Sequence, residues 1–510
     1  MSFNSLYFII FFLPLTLAAY YAAGRRSAAL ADWILVGASV IFYGFANVWY
    51  PVMLGALAAA NWGIAAAIRR EGAKEREAAA GGVTEQKPEE GGRTGRGKSS
   101  RKSRAWMIFG VAVNVGVLGV FKYTDFFIEN LNALFQRDWP AANLILPLGI
   151  SFIIFSQISW IVDVYRGGAA DVCLREYAVY TGFFPKLSQG PITLMRDFLP
   201  QLRSGDRLRF DDERMMIGIQ MFVCGLAKKV LIADVLGAAV DCYMDMLKLT
   251  TNVDSLVIML AYTFQIYFDF SGYSDMALGV SRMLGFSLPA NFNSPYKACS
   301  VTDFWRRWHI SLTTFLREYI YFPLGGSRRG TAVTYRNIMI IYLISGFWHG
   351  ASWGYVLWGI FHGLAQCLER LAGRFYQKVW KPVRWLVTFG IVNVLWMLFR
   401  CGDWATFQRY WWHLTADRTG TLTAAIAGCF RIPGLRTILS LTGLSAGDVF
   451  VNTLSMVLIL ALCFVICLCL PNNQERRYRR SVLSLLVTAG LLSLCLVSLS
   501  GTSSFVYNDF

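Results

Sequence analysis

Apolar residues in this chain come in long runs separated by short polar joints. The first run, MSFNSLYFIIFFLPLTLAAYY, has no Lys or Arg ahead of it and is long enough to cross a bilayer. It reads as a membrane-spanning helix and not as a cleaved leader, which needs a charged start. Further runs near 30–49, 52–68, 105–121, 145–164, 215–235, 255–268, 335–348, 353–371, 385–400, 450–470 and 481–500 bring the expected number of spans to about 12, or 11 if one is partial. Stretches 176–193 and 269–287 suit re-entrant or partial helices, tolerated at membrane depth only inside protein or beside water. The pattern predicts an all-α polytopic membrane protein, a single domain over 1–510. The chain shows no internal repeat, unlike many transporter folds.

The polar joints set the expected orientation. Arg25 and Arg26, the segment 69–104 with eleven Lys or Arg and six Glu, and ERRYRR at 475–480 all suit the cytoplasmic side. The segment 69–104 lacks aromatic residues and is rich in Gly, Ala and charge, so it is expected to be a disordered basic loop. Loop 236–254 carries Asp241, Asp245 and Asp254 and is expected outside, together with both termini.

Composition agrees with the pattern. Of 510 residues, 55% are hydrophobic and 16% charged, against about 25% charged in soluble domains. Mean hydropathy is +0.44. The net charge of +16 sits between apolar runs, where it orients helices in a bilayer and gives no reason to expect nucleic acid. Eleven cysteines show no metal-ligand spacing; Cys463, Cys467 and Cys469 lie in an apolar run and read as small hydrophobes. Neither a disulfide, a resident metal nor a permanently bound cofactor is expected.

Candidate chemistry concentrates in the block 260–370. Ionisable residues within apolar sequence are costly and usually mark sites. YTFQIYFDFSGYSDMALG places Gln265, Asp269, Ser271 and Asp275 in such a run, each able to line a tunnel or to pair with a neighbour. A helix is expected from a cap at Thr302 or Asp303 to about Phe322, with Trp305, Trp308, Leu312, Phe315, Leu316 and Tyr319 on an apolar face and His309 at its edge. Such a helix suits the membrane interface or a cavity wall. In ISGFWHGASWG, His349 falls between two apolar runs, flanked by Trp348 and by Gly346 and Gly350, with Ser352 placed to cap the second run. Apolar surroundings favour the uncharged imidazole that a general base needs. His362, one span on, reads as structural. With no GxSxG, Cys motif or Ser-His-Asp order, these residues suit proton abstraction from a hydroxyl that attacks an acyl thioester.

These segments resemble the membrane-bound O-acyltransferase (MBOAT) family, in its bacterial branch of alginate O-acetylation and teichoic-acid D-alanylation proteins. The likeness runs from FNSLYFIIFFLPLTLAAYY through LPLGISFIIFSQISWIVDVYRG and FFPKLSQGPI, and is densest in DFWRRWHISLTTFLREYIYFPLGG and GFWHGASWGYVLWGIFHG. The resemblance implies a helical fold around a central tunnel, with re-entrant and amphipathic helices, in a bacterial inner membrane. It implies His349 as base and His309, where the family has His or Asn, as its partner or as oxyanion stabiliser, with Trp305 and Trp348 among the candidate tunnel-lining residues. The donor would be acetyl-CoA or an acyl-phosphopantetheine carrier protein, and the acceptor a cell-envelope or exported polysaccharide, reached directly or through an extracytoplasmic SGNH-type acetyltransferase. The tail 501–510 ends in SSFVYNDF, and similarity to family tails makes Tyr507 a candidate acyl relay, although Asn508 and Asp509 replace a more usual aromatic. A transporter or flippase without acyl chemistry is the competing reading, and a non-catalytic scaffold a third.

Overall fold

A computed structural model describes residues 1–80, 101–169, 171–432, 435–441, 447–473, 475–476, 478, 481–499 and 505. Among them the chain is all-α, with no strand. Two compact units divide it: one takes Met1, 14–188 and 192–210, the other 2–13, 189–191 and 211–510.

The first unit contains α1 (Leu13–Gly24), α2 (Ala28–Gly44), α3 (Trp49–Ala80), α4 (Arg101–Phe135), α5 (Ile150–Tyr165), α6 (Leu174–Gly182), α7 (Phe184–Leu187) and α8 (Met195–Arg203). At the start of α2, Ser27 accepts from Ala29 N–H and satisfies one of the helix's first free amides. Trp62 stacks on Trp160 at 6.2 Å, and the Arg69 guanidinium lies 4.8 Å over Trp62. Buried Arg207 donates to Asp32 at 2.6 Å and to the Tyr20 hydroxyl at 2.9 Å, and Arg175 meets the other Asp32 oxygen at 3.1 Å. The expected loop 69–104 is shorter at both ends: 69–80 continue α3 and 101–104 open α4, because alternating Arg, Glu and Ala favour helix. Residues 81–100 lie outside the described residues.

The second unit contains α9 (Asp212–Ala227), α10 (Asp234–Asp245), α11 (Asn252–Met283), α12 (Val301–Arg307), α13 (Ile310–Leu316), α14 (Thr331–His349), α15 (Trp353–Lys378), α16 (Lys381–Cys401), α17 (Trp404–Thr415), α18 (Ala424–Ala427), α19 (Leu435–Leu441), α20 (Asp448–Leu468) and α21 (Val482–Ser498). The 32-residue α11 runs through its centre, buried along most of its length. It is continuous through 269–283, where a partial helix was an alternative; Thr251 and Asp254 close a capping box at its start. Helices α9 and α11 touch backbone to backbone: Gly218 and Gly225, seven apart, face Gly279 and Gly272, and a side chain at any of them would strike the other helix. A π-helical turn, Lys228–Ala233, links α9 to α10.

Six described helical stretches are long and apolar enough to cross a membrane: Tyr7–Gly24, Trp49–Lys74, Arg101–Phe135, Asn252–Met283, Lys381–Cys401 and Asp448–Leu468. Shorter apolar helices are Ala28–Gly44, Ile150–Tyr165 and Val482–Ser498. All twelve expected spans are largely helical, yet only six meet that measure, because the others are short or carry more polar residues.

One expectation is overturned outright. Cys242 at the end of α10 and Cys429 after α18 form a disulfide, 187 residues apart in sequence. Sequence spacing carried no sign of it, since the tertiary fold alone brings the two ends together. The same end is tied by Thr423, which donates from its N–H and its hydroxyl to the two Asp254 oxygens at 2.9 and 3.0 Å.

Candidate active site

The helix expected over 302–322 is broken, and the break is what presents His309. Ser300, not Thr302 or Asp303, caps α12 by accepting from Asp303 N–H. The chain leaves helical geometry at Trp308, and His309 adopts φ 45°, ψ 54° before α13 begins. That left-handed conformation costs a non-glycine residue about 1–2 kcal/mol. Neighbouring strap residues hold it: Ile310 N–H donates to Asn291 O at 3.0 Å, and Asn293 N–H to Arg307 O at 2.9 Å. The Asn291 side chain accepts from Ser311 Oγ at 2.6 Å and donates to Ser274 Oγ on α11 at 3.2 Å. A π-helical turn, Arg317–Tyr321, completes the segment.

His349 is the last residue of α14, followed by extended Gly350. Helix α14 lies against α15 at Gly346 and Gly359, where a side chain would collide with the Tyr355 and Tyr342 carbonyl oxygens. Ser352 does start α15, yet its hydroxyl donates to Gly402 O instead of capping the helix, since that carbonyl lies beside it.

All three histidines of the block are buried and share one aromatic cluster. His309 lies edge-on to Phe270 at 4.8 Å and faces Trp348 at 6.1 Å. Trp348 is 4.9 Å from His349, which also packs on Trp358 at 5.1 Å and Phe399 at 5.3 Å. Trp358 meets His362 at 4.8 Å. The Trp305 indole N–H donates to His362 Nδ1 at 3.2 Å.

A cavity of about 590 Å³ reaches this cluster from one side. Arg306, Arg317, Arg370 and Arg384 line it with Glu369, as do Trp305, Leu312, Tyr342 and Ser345. Glu369 is committed elsewhere: Val301 N–H donates to its carboxylate at 2.6 Å. Three lining residues lie near the histidines in sequence. Thr313 is four residues after His309, Ser345 four before His349 and Gln366 four after His362. Residues four apart share a helix face, about 6 Å along the axis. The histidines themselves do not line the cavity; Trp305, which does, is bonded to His362.

Of the residues expected along a tunnel, Trp305 lines this cavity and Trp348 stands between His309 and His349. Gln265 lies against Gly237 between α10 and α11. Asp269 pairs with Lys229 at 2.7 Å, and Lys229 also with Asp234 at 2.9 Å; Asp275 pairs with Lys228 at 2.6 Å. Ser271 and Asp275 border a separate polar cleft of about 10 Å³, room for no more than about one water. Tyr507 lies outside the described residues; Phe505, two positions before it, is buried against Tyr273 at 5.0 Å. Sequence reading missed Asn291, the link from Trp305 to His362, and the grouping of the four arginines. An Asn in a loop and arginines far apart in sequence give no periodic signal.

The chain is thus a multi-pass helical membrane protein whose buried histidines lie in an aromatic cluster that shares Trp305 and Tyr342 with the cavity. Residues 150–404 match the membrane-bound O-acyltransferase family, MBOAT, and the chain belongs to that family. It is 35% identical over 430 residues to a peptidoglycan O-acetyltransferase of Helicobacter pylori, covering 78% of this chain and 76% of that one. It is 36% identical over 443 residues to a probable alginate O-acetylase of Pseudomonas aeruginosa, covering 84% and 79%. A teichoic acid D-alanyltransferase of Bacillus subtilis is 29% identical over 264 residues, 49% of this chain and 65% of that one. The protein is thus a membrane O-acyltransferase.

Proposed function

We propose that this protein moves an acetyl group from a cytoplasmic thioester through its 590 Å³ cavity for O-acetylation of a cell-envelope or exported polysaccharide, in a bacterial inner membrane. The observation that carries the reading is the arginine-lined cavity whose residues Trp305 and Tyr342 pack on the buried aromatic cluster that holds His309, His349 and His362. In the proposed step His349 takes the proton of an acceptor hydroxyl while the oxygen attacks the thioester carbonyl. His309 steadies the oxyanion; the carbon–sulfur bond then breaks and the thiolate is protonated. General base assistance of this kind supplies about 10²–10⁴-fold.

The donor is acetyl-CoA or an acyl carrier protein, both of which carry phosphopantetheine. Four arginines along one cavity suit its phosphate, because guanidinium groups bind phosphate oxygens in pairs. The acceptor is the polymer or an extracytoplasmic SGNH-type acetyltransferase, with Tyr507 as the relay in the second case. The disulfide supports the orientation: it joins Cys242, in the loop expected outside, to Cys429, and disulfides persist in oxidising compartments. The test uses the purified full chain with labelled acetyl thioester and envelope polymer. Alkali-labile label on polymer or protein is expected, and transport of polymer with the thioester intact would favour a flippase. Tyr507→Phe with undiminished polymer acetylation would remove the relay alone.

A further inference from the structure

We propose that Trp305, locked by His362, is the stop that fixes the length of the acyl group. The inference rests on the cavity being the donor channel. Trp305 and Tyr342 both line it, and their rings meet edge-on at 5.5 Å. Trp305 has little freedom to swing aside. Its indole N–H donates to His362 Nδ1 at 3.2 Å, and its ring packs edge-on against Trp358 at 5.5 Å. Indole N–H is only a donor, so His362 Nδ1 is the accepting nitrogen. His362 is itself fixed, fully buried among Trp358, Tyr342 and Trp396. Trp358 in turn stacks on Trp396 at 5.9 Å, so the space behind Trp305 is filled by rings. An acyl chain held in the cavity meets this Trp305–Tyr342 wall. Each added methylene must displace an anchored indole, and rigid pockets discriminate one methylene by about 10–200-fold.

His362 acts as a positioning residue, through Trp305, and Trp305 as the specificity-determining one. The experiment measures kcat/KM for acetyl-, propionyl- and butyryl-CoA with the full chain in nanodiscs. Trp305→Phe removes one ring and the anchoring N–H, Tyr342→Leu opens the same end from α14, and His362→Leu releases the indole. The butyryl-to-acetyl ratio is expected to rise about tenfold or more in Trp305→Phe and Tyr342→Leu, and to rise in His362→Leu as well. An unchanged ratio in the folded variants overturns the stop. Ile341→Trp, which narrows the channel at another lining position, separates the two ideas: it should weaken use of all three donors equally. Normal kinetics in Ile341→Trp would instead refute the channel.

Discussion

Asn291→Ala tests whether the strap beside His309 matters for transfer. The substitution deletes two buried hydrogen bonds, one accepted from Ser311 at 2.6 Å and one donated to Ser274 at 3.2 Å. Each contributes about 0.5–1.5 kcal/mol net, and the Ser274 and Ser311 hydroxyls each lose one partner, which adds a desolvation cost, giving about 2–4 kcal/mol in total. The backbone bond from Ile310 to Asn291 O remains, so the fold should survive with a lower melting temperature. What is lost is the tie that offsets the left-handed geometry at His309. If half of that energy is lost as preorganisation, the barrier rises by about 1–2 kcal/mol, and kcat falls roughly 5- to 30-fold. KM for the donor should hold, because Asn291 does not line the large cavity. The assay is steady-state acetyl transfer by the purified variant beside its melting curve. Wild-type kcat in a measurably destabilised Asn291→Ala would refute the strap's role in positioning His309.

Three other expectations are direct. His309→Asn should keep more activity than His309→Ala, since an amide can still donate to an oxyanion; equal loss in both would contradict that role. Denatured protein should titrate nine free thiols before reduction and eleven after, whereas eleven beforehand would exclude the Cys242–Cys429 bond. In the first unit, hydrogen bonds from Arg203 hold the Glu176 carboxyl below its ordinary range. A depressed carboxyl stabilises above its unfolded pKa of about 4.3 and loses that contribution as pH falls through the lower folded value. The melting temperature should therefore drop below about pH 4.3, a step that Arg203→Gln should flatten.

Much of the fold was legible because bilayer-scale apolar runs are a strong local signal. The ends of those runs were less so. The loop at 69–104 looked unstructured by composition, yet Arg, Glu and Ala are also good helix formers, and 69–80 extend α3. The break at Trp308 was hidden because the apolar spacing of Trp305, Trp308 and Leu312 continues across it; a strap seventeen residues upstream imposes the turn. Asp269 and Asp275 stood out as costly charges, and sequence could not say that adjacent lysines 40 and 47 residues away balance them. His349 stood out by its glycine-flanked position, and the structure buries it at the end of α14. The place of His362 beside Trp305 depended on how α12 meets α15, which no local pattern encodes.

The most direct test of the central claim is acetyl transfer by His349→Ala in proteoliposomes, with labelled acetyl thioester on the cytoplasmic side and acceptor on the other. The account predicts ester formation at least about 100-fold slower than wild type, with unchanged insertion and melting. Ester formation at the wild-type rate would contradict it.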